Sequence, residues 1–159
     1  MSLQQELGLP RPIMNRAHEA VMNIVLTGEM LAKEGQRLLR PFGLTDSQFN
    51  VLMLLKYQNG GEGVSQTVLG ERLLVNRSNV TGLIDRLEQA GWVQRLADPN
   101  DRRVNQVKIT RAGLSVLNKA EEKYFARTEE VIGALPAKNQ TLICSLMEAV
   151  RQVFQLTVC

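Results

Sequence analysis

Four apolar residues, Val80, Leu83, Ile84 and Leu87, stand at positions i, i+3, i+4 and i+7. That spacing lines one face of a 3.6-residue helix and fits no strand. Asn76 precedes the stripe, where its side chain can accept a backbone N–H, and Gly91 follows it as a left-handed C-cap. The period then changes. Trp92 to Leu96 and Val104 to Ile109 are short and rich in β-branched or aromatic residues, with Asp98-Pro99-Asn100-Asp101 as a turn between them. A helix followed directly by a hairpin with a polar, charged tip fixes the middle of the chain as mainly α with a small β element.

The flanks are helical too. From about Ile13 to Arg40, Ala17, Ala20, Val21, Ile24, Val25, Leu31, Leu38 and Leu39 recur near helical spacing, and Pro41 ends the stretch. Thr45 and Gln48 form a capping box that opens a helix through Phe49, Val51, Leu52, Leu54 and Leu55. Ser65 caps the next helix, which carries Val68, Leu69 and Leu73, and a break of two or three residues separates it from the striped one. Thr110 caps a long helix with Leu114, Leu117, Tyr124, Val131 and Ile132, and Pro136 starts the last helix. Residues 1–10 read as a loose tail.

The inventory narrows the function. The 159 residues suit one compact domain or one subunit of an oligomer. The longest apolar run, Val51 to Leu55, cannot span a bilayer, and the N-terminus lacks the pattern of a secretory signal. Two cysteines, Cys144 and Cys159, and one histidine, His18, predict no disulfide framework, no metal site and a reducing cytoplasm. No Gly-rich phosphate loop, nucleophile-and-base pattern or paired-carboxylate motif is present, so neither catalysis nor a cofactor is expected.

The net charge is +3, and all of that excess lies in the middle third. Residues 65–111 hold eight basic and five acidic side chains, which leaves eleven of each elsewhere. A basic patch on a neutral body is the footprint of a polyanion reader or, more plainly, a solvated face.

Two helices joined by a tight turn and followed by a two-stranded wing form a winged helix-turn-helix, and a helix of this kind fits the major groove of duplex DNA. With the stripe turned inward, Ser78 and Gly82 point outward, flanked by Asn79, Thr81, Asp85 and Arg86. This face is small and polar, able to approach base edges closely. Arg77 belongs to the same turn, and Ser65, Gln66 and Thr67 begin the bracing helix. Arg102 and Arg103, at the wing tip, can enter a minor groove or hold phosphates.

These residues resemble the MarR family of bacterial transcription factors. The likeness runs over about residues 44–113: Gly43-Leu44-Thr45 with Gln48 and Leu52, then Asn76 to Glu88, Gly91-Trp92-Val93, Asp98 to Arg103, Lys108-Ile109-Thr110 and Gly113. Ile109 stands where leucine is usual. The resemblance implies a homodimer whose first and last helices interlock, a palindromic operator, and often release from DNA by a small ligand, commonly aromatic or anionic. It also implies that Arg103 ties down the wing, for which Asp85 is the candidate partner.

On this reading 1–159 is a single subunit. Residues 44–113 form the DNA-binding region, and 11–40 and 113–157 the dimerisation helices. The expected function is sequence-specific regulation of transcription, by a repressor as the default. The rival reading is a winged helix used only for protein contacts. No effector-binding residue can be assigned. Cys144, among Leu142, Ile143 and Leu146, reads as a buried thiol, and Met14, Met22, Met30 and Met53 read as core filling.

Overall fold

The computed structural model describes residues 2–11, 13–58, 63–73, 77–97 and 105–157. The chain divides into two compact units, Met1–Leu117 and Asn118–Cys159. Its elements run α1 (Leu3–Glu6), α2 (Arg16–Leu39), a 3₁₀ turn (Arg40–Phe42), α3 (Asp46–Tyr57), β1 (Val64–Ser65), α4 (Gln66–Leu73), α5 (Arg77–Gln89), β2 (Val93–Ala97), β3 (Asn105–Ile109), α6 (Arg111–Val131) and α7 (Ala137–Thr157). The unit boundary falls within α6.

Residues 1–10 are not a loose tail throughout. Ser2 and Gln5 form a reciprocal capping box over α1, and Leu3 is buried. The short Ser-x-x-Gln signal lay outside any apolar periodicity, which is why periodicity alone misses it. α2 begins at Arg16, after Asn15, whose side chain accepts the His18 N–H at 3.1 Å. Pro41 closes it through the 3₁₀ turn, which Gly43 ends at φ +70°. The predicted capping box at Thr45 and Gln48 is formed in both directions.

The core of the first unit is built by α3, α4, α5 and the sheet. Val80, Leu83, Ile84 and Leu87 are each 5% exposed or less, so the stripe faces inward as its spacing dictates. Phe49, Val51, Leu52 and Leu55 of α3, Leu69 of α4, and Val64, Val93, Val107 and Ile109 of the sheet are buried with it. Each such side chain stabilises the fold by about 1.5–3 kcal/mol through removal of apolar area from water.

The hairpin is part of a three-stranded antiparallel sheet in the order β1-β3-β2. β1, two residues long, pairs Val64 with Val107 and Ser65 with Gln106. A strand this short has no alternation to read, so Ser65 presents itself in the sequence only as a helix cap. It is both: its hydroxyl accepts the Val68 N–H at 3.3 Å. Gly91 caps α5 at φ +72°, and the Trp92 N–H returns to the Leu87 carbonyl at 2.9 Å. The expected cap at Asn76, the turn at 98–101, Val104 and Cys159 lie outside the described residues.

In the second unit, α7 leaves Leu142, Ile143, Leu146, Val150, Val153 and Phe154 between 37% and 65% exposed. Cys144 is exposed among them rather than buried, because the apolar face that surrounds it is itself uncovered in the single chain. α2 does the same in the first unit, with Val21, Ile24, Val25 and Leu31 exposed. Met14 and Met30 are exposed there too, so they fill no core of this chain.

Candidate nucleic-acid interface

Burial of the stripe turns the opposite face of α5 to solvent. Asn79, Thr81, Asp85 and Arg86 are exposed, and Gly82 is half-buried. A Cβ on Gly82 would lie 3.9 Å from an Arg86 guanidinium nitrogen, so the arginine folds back along the helix toward its N-terminus. The outward surface around Gly82 is therefore low, polar and overlain by one cation. Arg77 and Ser78 stand in the first turn of α5. Arg102 and Arg103 lie outside the described residues.

At the start of α4 the three predicted residues separate. Thr67 is exposed, Ser65 is spent on the cap and the sheet, and Gln66 is half-buried. The Gln66 amide nitrogen is buried and has no hydrogen-bond partner among the described residues. Of the three, Thr67 alone is exposed.

Among the described residues Asp85 has a partner in Arg95 of β2; the expected pairing with Arg103 falls outside them. The Arg95 guanidinium donates to the Asp85 carboxylate at 2.5 Å and also to Glu88. Glu88 accepts the backbone N–H of Arg95 at 3.0 Å as well. Burial of the guanidinium works against its charge, but the hydrogen bonds and charges of Asp85 and Glu88 outweigh that and raise its pKa above the ordinary arginine value. Sequence reasoning missed Arg95. The signal was available: acids at i and i+3 on α5, and an arginine two residues after Val93, on the inward parity of its strand.

The junction behind α5 is tight. The Thr110 hydroxyl donates to the Gly91 carbonyl at 2.7 Å and accepts the Gly113 N–H at 3.0 Å. The Thr110 N–H meets the Trp92 carbonyl at 2.9 Å. The predicted cap of α6 thus also holds the end of α5. On the outer face of the sheet, Gln94 is in register with Lys108, and Arg111 is exposed at the start of α6.

Among the described residues no group of three His, Cys, Asp or Glu could hold a metal ion, and no helix is long and apolar enough to cross a membrane.

A helix pair, a buried stripe, a small polar outward face and a following two-stranded hairpin, joined by β1 into a three-stranded sheet, define a winged helix-turn-helix. The comparisons give the class its family. The MarR family model matches residues 42–104. The transcriptional activatory protein BadR of Rhodopseudomonas palustris is 36% identical over 129 residues, which cover 80% of this chain and 74% of BadR. The HTH-type transcriptional regulator MhqR of Bacillus subtilis is 32% identical over 108 residues, 68% of this chain and 72% of MhqR. The crystal structure of AbsC, a MarR family transcriptional regulator from Streptomyces coelicolor, superposes with a TM-score of 0.83 at 21% identity, over 91% of this chain and 98% of that one. The chain belongs to the MarR family. It is a DNA-binding transcriptional regulator and not an enzyme.

Proposed function

We propose that the protein acts as a homodimer on a palindromic operator in double-stranded DNA, with α5 in the major groove. The observation that carries this is the division of α5 into a fully buried apolar stripe and a low polar face of Asn79, Thr81 and Gly82 with Arg86 across it. Arg77, Ser78, Thr67 and the wing arginines Arg102 and Arg103 extend that surface in the proposal. A protein-contact module would need neither the polar outward face nor the basic middle third. The dimer is supported by the uncovered apolar residues of α2 and α7, which a two-fold mate would bury. The compartment that fits this role is the cytoplasm.

Repression by occupying a promoter is the default reading, because it needs no further activating surface. Activation is the second reading, favoured by the relative BadR, whose name describes it as activatory. Control by a small anionic or aromatic ligand completes the proposal. A cavity of about 570 Å³ beside Lys33, Arg37, Arg40 and Thr45 offers cationic groups for it, although Arg37 already meets Glu34 at 2.8 Å.

The test is selection of duplexes from a random-sequence pool by the full-length protein, followed by gel-shift titration. A two-fold-symmetric consensus bound by a dimer is expected. Recovery of no consensus would leave the protein-contact module as the better reading.

A further inference from the structure

We propose that Arg95 is a positioning residue for operator discrimination: without touching DNA, it locks the wing strand β2 to α5 so that both present their contacts in one fixed register. The inference rests on the operator-binding reading above.

The geometry is specific. Arg95 shares its side of β2 with the buried Val93, and it is paired across the sheet with the buried Val107. Its side chain is only 22% exposed and runs from the sheet to α5. There it meets two acids one turn apart. Asp85 takes one end of the fork and Glu88 the other, and Glu88 also takes the backbone N–H of the same residue. Two charge-assisted bonds and one backbone bond converge from a single strand residue on a single helix face. A planar fork held at both ends resists both rotation and sliding, which a single ammonium cannot do.

Arg95 also accounts for the two acids. Asp85 is exposed on the side of α5 that would approach phosphates, where a bare carboxylate repels the ligand. Pairing removes much of that repulsion and turns the acid into an anchor. The needed precision is high: a five-residue strand spans about 17 Å, so a swing of about 10° moves its far end by about 3 Å. Base-edge hydrogen bonds tolerate about 0.5 Å. Phosphate contacts made by flexible basic side chains tolerate much more. Loss of the lock should therefore damage discrimination before it damages general DNA affinity.

The experiment compares the native chain with Arg95→Lys, which keeps the charge and loses the fork, and with Glu88→Gln combined with Asp85→Asn. Each is titrated against the selected operator and against a scrambled duplex of equal length and composition, with the thermal midpoint measured in parallel. Arg95→Lys is expected to bind the operator at least tenfold more weakly and the scrambled duplex within about twofold of native, and the double amide variant to follow it. Arg95→Glu combined with Glu88→Arg is expected to recover part of the discrimination lost by Arg95→Glu alone. Equal losses on both duplexes, or an unchanged ratio in Arg95→Lys, would overturn the proposal. A native chain with no preference for any sequence overturns the operator reading itself; native discrimination retained in full by Arg95→Lys overturns only the role of Arg95.

Discussion

The hydroxyl of Thr110 donates a 2.7 Å hydrogen bond to the carbonyl of Gly91, so the residue that caps α6 also holds the last turn of α5. The approach is close enough to exclude a side chain nearby. A Cβ on Gly113 would sit 2.1 Å from the Trp92 carbonyl oxygen, a backbone atom with little room to move. The end of α5 and the start of α6 are joined here by one threonine hydroxyl and by backbone groups.

Gly113→Ala is therefore expected to destabilise the fold by about 1–3 kcal/mol, the range for overpacking a site that cannot relax. Thr110→Val loses the cap and the tie together and should cost about 1–2 kcal/mol. Urea denaturation midpoints check both, and a Gly113→Ala protein as stable as native would show that the junction can open without cost.

Stability and specificity should separate along α5. Ile84→Ala removes a fully buried side chain and is expected to cost about 2–5 kcal/mol of folding free energy. Asn79→Ala changes an exposed residue and should alter stability by less than about 0.5 kcal/mol. It should weaken operator binding by about 1–3 kcal/mol and random-DNA binding far less. Equal weakening on both DNAs would move Asn79 to the phosphate contacts.

Asp85→Ala removes a negative charge from a helix that faces a polyanion, yet the partnership with Arg95 predicts weaker operator binding, not tighter. Gel-shift titration at low salt gives the sign directly. Tighter binding would mean that the acid acts only by repulsion.

Arg102→Ala is expected to weaken binding to all sequences and to reduce the slope of log K against log salt by about one unit, as for loss of one phosphate contact. An unchanged slope would remove Arg102 from the contact set.

For the dimer, Leu146→Glu places a charge on an α7 side chain that is 52% exposed in the single chain. The lone subunit should tolerate it, whereas a two-fold apolar interface should not. Sedimentation equilibrium is expected to show monomers and a loss of operator binding. An intact dimer would place the interface elsewhere.

The sequence by itself determined the parts governed by local rules. The stripe from Val80 to Leu87, the box at Thr45 and Gln48, and the left-handed cap at Gly91 each depend on residues within about two turns of one another, so periodicity and capping chemistry suffice to read them. The polar face of α5 followed by subtraction, once the stripe was turned inward. What only the tertiary structure decided involves partners distant in sequence. β1 is a strand because Val64 and Ser65 meet Val107 and Gln106, more than forty residues on, and nothing in two residues announces that pairing. Cys144 is exposed along with its apolar neighbours Leu142, Ile143 and Leu146, and apolar composition alone cannot tell a core from an exposed face. Asp85 was legible as an acid needing a cation, but which cation depends on strand parity and on where the turn after Gly91 sets β2 down. The fold chose Arg95, because a strand that leaves α5 through a tight cap returns its inward-facing third residue to the helix it has just left.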